Sequence, residues 1–278
     1  MLNLIRPLAE PILRKNLLLF NFFTFIYYYA GYIFYIFFKL FKKPYIGGYL
    51  FSNQDMGRKR QKTICNILKS INKKQINILE IGVFCGQTTL KLSNECKKNN
   101  IDYNITCLDL WDDFELSQGN KNFQYKKIIK DLKNQNIFKL FKYNIKTANI
   151  ENKISIVREN SIKYLRNVEN KFDLIIIDGS HLYDVVFQDI KNSLKAIKDG
   201  GIIIGDDYEV LHSDLETESL VKLVNKKVDI AYDKNLSKIY HPGVTYAVNE
   251  LLGNLNSFNG LFCVKKQHKV FKDYFNDF

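Results

Sequence analysis

Residues 76–89 read Ile-Asn-Ile-Leu-Glu-Ile-Gly-Val-Phe-Cys-Gly-Gln-Thr-Thr. An apolar run of strand length passes into Glu80-Ile81-Gly82, a second glycine follows at 86, and a helix is expected from about Thr88. Strand, glycine turn and helix together open a βαβ unit. The turn has neither the GxGxxG of a dinucleotide site nor the GK[ST] ending of a phosphate loop. Gly82 and Gly86 allow a sharp bend and a close approach to a ligand at the carboxyl end of a strand, where open α/β sheets bind theirs.

Outward from this stretch, short apolar runs recur at Ile105–Leu110, Ile154–Val157, Leu174–Ile177, Ile202–Ile204 and Leu261–Val264, with helix-length, Lys-rich segments between them. That alternation predicts a doubly wound α/β fold with a mostly parallel sheet covered on both faces. No solenoid-period repeat and no heptad run interrupts it. An amphipathic stretch from about Asp55 to Asn72 leads in, after a linker marked by Pro44 and Gly47-Gly48. Two segments are thus expected: a hydrophobic N-terminal piece over residues 1–50 and a catalytic domain over 51–278.

The second run ends in Cys107-Leu108-Asp109-Leu110-Trp111. If the glycine turn holds part of a nucleoside, Asp109 stands where the ribose diol would lie, and a carboxylate accepts two hydrogen bonds from vicinal hydroxyls. The alternative is an ordinary solvated strand-end acid. Trp111 either walls the site or sits in the core. Asn160-Ser161, just past the third run, suits either an adenine edge or a helix N-cap.

In the order and spacing found here, the strings ILEIGVFCGQTT, ITCLDLW, FDLIIIDGSHLYDVVFQDI, KDGGIIIGDDY and HPGVTYAVNEL make the chain resemble the class I S-adenosylmethionine methyltransferases. Within them it is similar to the metal-dependent sugar O-methyltransferases of the macrocin and mycinamicin type. The resemblance covers roughly residues 55–266 and implies a seven-stranded Rossmann-like sheet. It also implies cofactor contacts from Glu80, Gly82 and Asp109, with the sulfonium methyl aimed at the end of the fourth strand.

The fourth run delivers Asp178-Gly179-Ser180-His181, and the fifth, after Gly200-Gly201, delivers Asp206-Asp207. Neighbouring parallel strands open on the same edge, so these carboxylates are expected to converge. Bare acids so crowded repel one another, whereas Mg²⁺ or a similar hard cation takes oxygen ligands and leaves positions open for a substrate. Such an ion can bind adjacent hydroxyls of an acceptor and lower the pKa of one. His181 is placed to take the hydroxyl proton. The resemblance implies the same roles: Asp178, Asp206 and Asp207 as metal ligands and His181 as base. The bland readings are turn residues at 206–207 and a helix-start histidine at 181. His241, in HPGV, is read as shaping a turn. Substrate choice is expected in the segment Tyr208 to Tyr240 and around Asp112–Tyr125.

The net charge of +12 is unevenly placed: residues 1–75 hold 13 Lys and Arg against 2 Asp and Glu, and residues 76–278 hold 28 against 27. A balanced catalytic part argues against a nucleic-acid groove. The excess lies beside Leu17 to Phe38, a run with no charged residue and many aromatics. Arg14 and Lys15 precede it, and Lys39, Lys42, Lys43, Arg58, Lys59, Arg60 and Lys62 follow, which orients the rest of the chain to the cytoplasm. The run suits a membrane span, a helix lying in the interface, or an arm packed on this protein or on a second copy. No small-residue cleavage site follows it. Five scattered cysteines read as reduced thiols, with no zinc or disulfide pattern.

The expected activity is methylation of a sugar hydroxyl in a glycan or glycoconjugate precursor. The alternatives are a small diol such as a catechol or another secondary metabolite, and a membrane-tethered cofactor-binding protein without catalysis.

Overall fold

The computed structural model describes residues 33–45, 57–112, 123–268 and 270–277. In chain order the elements are α1 (residues 33–40), α2 (Arg58–Ser70), β1 (Gln75–Ile81), α3 (Gln87–Lys98), β2 (Asp102–Leu108), α4 (Phe123–Lys133), α5 (Asn136–Thr147), β3 (Ile154–Val157), α6 (Ser161–Leu165), β4 (Phe172–Ile177), α7 (Tyr183–Ala196), β5 (Ile197–Gly205), α8 (Thr217–Asn225), β6 (Ala231–Asp233), β7 (Lys238–Tyr240), α9 (Pro242–Leu252), β8 (Phe262–Gln267) and β9 (Val270–Asp273).

Seven strands form one sheet in the order β3-β2-β1-β4-β5-β8-β9. The first five are parallel neighbours; β8 and β9 close one edge antiparallel. The apolar run at 261–264 is therefore the reversed strand. β9 carries no clear sequence signal, because Val270-Phe271-Lys272-Asp273 is short and half polar. β6 and β7 pair only with each other, as a hairpin inside the segment that follows β5.

Period-two alternation along the strands divides the core. Ile78, Ile105, Cys107, Ile176 and Ile204 pack on one face, under α2, α3 and α5. Leu79, Leu108, Ile175, Ile177 and Ile203 pack on the other, under α7 and α9. Every residue of β4, the central strand, is buried. A strand covered on both faces has to be apolar throughout, and FDLIII nearly is.

The chain leaves β1 toward β2 on one side and reaches β4 on the other, so the sheet changes winding direction between β1 and β4. That switch is where ligands enter open α/β sheets. The rim there is stitched by backbone hydrogen bonds. Asp109 N donates to Val157 O at 3.1 Å, Gly82 N to Leu108 O at 3.0 Å, Asp178 N to Ile81 O at 2.8 Å and Asp206 N to Ile177 O at 3.0 Å. Each residue just past a strand is thereby fixed by the end of its neighbour.

Of the hydrophobic run, residues 17–32 lie outside the described residues. Among the described residues no helix is long and apolar enough to cross a membrane. α1 rests on the domain through Tyr35 and Phe38, both edge-on to the buried ring of Tyr45 at 5.5 Å. Tyr45 N donates to Asn144 Oδ1 at 2.8 Å, and Asn144 Nδ2 donates to both Tyr45 O and Cys85 O at 2.9 Å.

Candidate active site

The glycine turn comes first. Gly82 has φ +82, and a Cβ there would lie 1.9 Å from the carbonyl oxygen of Asp178. Gly86, at φ +83, would press a Cβ to 2.7 Å from the Phe141 ring. Both glycines are thus demanded by the fold itself, through a close backbone crossing and a packed ring.

Asp109 turns inward onto the same turn. Its Oδ2 accepts from Val83 N at 2.9 Å and Phe84 N at 2.8 Å, and its Oδ1 from Trp111 N at 2.7 Å. Burial pushes its pKa up against the pull of those three amides. A carboxylate has about four lone-pair directions, so about one is left. The expected two-bond clasp on a diol does not fit this arrangement, because the backbone has already taken the other directions. Phe84 and Trp111 sit at φ +53 and +47, a region bulky side chains rarely adopt. The Asp109 clamp and the bond from Trp111 Nε1 to Phe84 O, 2.7 Å, hold them there. Trp111 is a core residue, stacked on Phe141 at 5.0 Å.

Glu80 is also interior. It is 1% exposed, and its Oε2 accepts from Thr89 Oγ1 at 2.6 Å. Burial raises its pKa to about 8, only partly opposed by Thr89. The folded value lies above the ordinary 4.5, so the stability tied to the protonated form is complete below about pH 4.5 and is lost as pH rises toward 8. Glu80→Gln keeps an acceptor for Thr89 and removes that slope. Its melting temperature is expected to gain on the parent's between pH 5 and 8, and parallel curves in calorimetry would sink the assignment.

Asn160 caps α6: its side-chain oxygen accepts from Lys163 N at 3.2 Å, beside Ser161 at the first helical position. The N-cap is thus made by the Asn160 side-chain oxygen.

The second half of the rim gathers as expected. Asp178, Asp206 and Asp207 each offer a carboxylate oxygen, all within 4.8 Å of one another. Burial, then repulsion from Asp206 and Asp207, pushes the Asp178 carboxyl well above its ordinary range. Burial and Asp207 raise Asp206 to about 7. Asp207, at φ +61, is also penalised by burial, but its bond and charge partner His181 holds it well below the usual range.

His181 sits between two acids, Nε2 2.8 Å from Asp207 Oδ2 and Nδ1 2.8 Å from Asp229 Oδ1. Burial opposes its charge, yet the two carboxylates raise its pKa well above the ordinary value. Both ring nitrogens thus face carboxylate oxygens in this arrangement. Nε2, the nitrogen expected to take a hydroxyl proton, faces Asp207 Oδ2.

Three neighbours join the cluster that the sequence does not point to. Arg60, one of a basic run expected beside a membrane, instead reaches into the cluster. Its Nη1 lies 2.5 Å from Asp206 Oδ1 and 3.0 Å from Asp207 Oδ1, its Nη2 bonds Glu209, and its Nε donates to Asn259 O at 2.9 Å. Asp229 comes from the segment after β5. His241, expected only to shape a turn, has its ring 4.0 Å from that of His181, with Nδ1 3.3 Å from Asp229 Oδ1. The HPGV string puts Pro242 at the start of α9, and Gly243 lets that helix approach the backbone of His181, where a Cβ would lie 2.3 Å from its carbonyl oxygen.

All of the rim from β1 to β5 falls within residues 79–208, which match the family model described as a methyltransferase domain. The match covers somewhat less than half of the chain. An uncharacterized protein of Acanthamoeba polyphaga mimivirus, R132, is 27% identical over 146 residues, 52% of this chain and 57% of the relative. The match therefore spans little more than half of that relative's length. Among solved structures, the chain is similar to the O-methyltransferase TomG of Streptomyces achromogenes in complex with SAM, at 12% identity over 71% of this chain and 68% of that one, TM-score 0.42. It is also similar to an O-methyltransferase of Bacillus cereus in complex with SAH, at 16% identity over 64% and 74%, TM-score 0.37.

Proposed function

We propose that the chain is an S-adenosylmethionine-dependent O-methyltransferase acting on a sugar hydroxyl of a glycan or glycoconjugate precursor, assisted by a divalent cation such as Mg²⁺. One observation carries the reading: the Gly82 turn crosses directly on the Asp178 carbonyl, so the donor-side loop and the acid cluster share one rim. A methyl group presented over the end of β4 then faces an acceptor oxygen held at the cluster.

On the donor side, the Gly82–Gly86 turn and the remaining lone-pair direction of Asp109 take the nucleoside, with Asn160 and Ser161 at the adenine end. Glu80 acts beneath the turn through Thr89. On the acceptor side, the all-oxygen set Asp178, Asp206 and Asp207 suits a hard cation, and the raised carboxyls of Asp178 and Asp206 mark negative charge in excess of its partners. A cation bound there supplies charge that lowers the pKa of an acceptor hydroxyl. His181 takes the proton at Nε2, with Asp229 holding the opposite nitrogen.

The test is methyl transfer from labelled S-adenosylmethionine to nucleotide sugars, polysaccharide fragments and catechols, with and without EDTA. A sugar product that disappears with EDTA and returns with Mg²⁺ is expected. Catechol-only turnover would sink the sugar reading, and turnover indifferent to EDTA the metal reading.

We also propose that the protein sits on an anionic lipid surface through α1. Ile33, Phe34, Ile36, Phe37, Leu40 and Phe41 are all more than 40% exposed, and Lys39, Lys42 and Lys43 lie among and after them. A water-facing helix would be polar on such a face; apolar residues ringed by lysines suit lipid headgroups. Phe37→Ser with Phe41→Ser is expected to lower co-sedimentation with phosphatidylglycerol-containing vesicles at least ~10-fold. Unchanged vesicle binding, or a shift from dimer to monomer in its place, would assign the face to a second copy or to nothing.

A further inference from the structure

We propose that Arg60 is a resident counter-ion of the acid cluster that a divalent cation must displace, and that Glu209 is where the displaced guanidinium goes. The inference rests on the metal reading above, and its test separates the two.

Arg60 Nη1 touches Asp206 Oδ1 and Asp207 Oδ1, and those two carboxylates belong to the trio that offers converging oxygens. A hard cation needs its ligand oxygens at about 2.0–2.6 Å. The Asp206 oxygen cannot serve a guanidinium nitrogen at 2.5 Å and such an ion from the same side. Like charges at that range also repel strongly in a largely buried site. Occupancy by Arg60 and by a metal are thus alternatives.

The structure also provides a second seat. Glu209 already takes Nη2 through one oxygen, while its other oxygen, Oε2, is buried with no hydrogen-bond partner. An unmatched buried carboxylate oxygen is costly, and a guanidinium fork matches both oxygens of a carboxylate at once. A rotation that takes Nη1 off the aspartates and onto Glu209 Oε2 gives up two contacts and satisfies that orphan. Arg60 stands in the first turn of α2, and its Nε bond to Asn259 O is the contact about which the guanidinium would turn. Gly260 opens the room that the guanidinium occupies, since a Cβ there would lie 2.4 Å from Nη2.

The experiment measures Mn²⁺ affinity of the full chain by calorimetry and electron paramagnetic resonance, without turnover. Arg60→Gln is expected to bind Mn²⁺ at least ~10-fold tighter than the parent. Glu209→Gln is expected to bind it several-fold more weakly, and that loss should vanish in the double variant, where no guanidinium needs a seat. Parent and Arg60→Gln binding Mn²⁺ equally, or the variant more weakly, overturns the proposal alone. No Mn²⁺ uptake by either protein overturns it together with the metal reading. If Arg60→Gln does not fold, ¹⁵N-arginine-labelled parent protein titrated with Mg²⁺ decides the matter. The Arg60 Nε signal, now bonded to Asn259 O, should move with a midpoint equal to the Mg²⁺ dissociation constant; a signal unmoved at saturation refutes displacement.

Discussion

Replacing Asp206 and Asp207 together by Ala is expected to lower methyl transfer at least ~100-fold while donor affinity changes by no more than about twofold. The two halves of the rim answer separately because they are built separately. The donor turn is clamped by Asp109 to Val83 and Phe84, and none of those bonds involves residues 206 or 207. Loss of the aspartates removes two of the three converging oxygens and leaves Arg60 with Glu209 and His181 with Asp229. Stability provides the control. Burial and Asp207 raise Asp206 to about 7, a burden on the fold, whereas Asp207, despite burial, is held well below its usual range by His181, so the two losses are expected to oppose each other in the variant's melting temperature. Turnover with labelled donor, donor binding by calorimetry and a melting curve check all three. Parental turnover in the double variant would falsify the acceptor-side assignment.

Gly82→Ala should be the most damaging single methyl in the protein, costing about 3 kcal/mol or more. Two penalties coincide. The backbone there has φ +82, and the new Cβ would stand 1.9 Å from Asp178 O and 2.4 Å from its carbon. Neither contact is with a side chain that can swing away. Relief means separating β1 from β4, the two strands between which the sheet switches direction. Gly200→Ala isolates the conformational part, since Gly200 has φ +75 and nothing within 4 Å of where its new methyl would stand. It is expected to cost only about 1 kcal/mol. Chemical denaturation of the two variants against the parent tests the difference, and equal losses would mean that the β1–β4 crossing yields more easily than its distances imply.

Much of the framework was legible from the chain alone, for a physical reason: consecutive parallel strands point their ends the same way. That geometry brings Asp178, Asp206, Asp207 and His181 together from residues nearly 30 positions apart. Direction of the side chain was harder to read. Glu80 and Asp109 stand where a ligand contact is expected, yet Glu80 bonds Thr89 of α3 and Asp109 bonds the backbone of the left-handed Phe84 and Trp111. Partners from distant elements left no signal. Arg60 lies 146 residues before Asp206 and looks, in sequence, like any member of a basic run. Asp229 belongs to a segment, a short helix and an isolated hairpin, that stands outside the main sheet and follows none of its strand-end spacing. His241 precedes a proline that advertises a helix start, which masked its place against His181. Of the two regions expected to choose the substrate, the one after β5 contributes Glu209 and Asp229 to the cluster. The other falls largely at residues 113–122, outside the described residues.

The Asn144 carboxamide has a practical bearing on how the N-terminal arm can be studied. One amide group sutures Tyr45 to Cys85, and Cys85 lies within the donor turn. A chain shortened past Tyr45 would strip a buried amide of two of its matches a single residue from Gly86, so truncation would unsettle donor binding as well as remove the arm. Point changes on the outer face of the arm spare that suture, and the arm's own contribution is readable only through them.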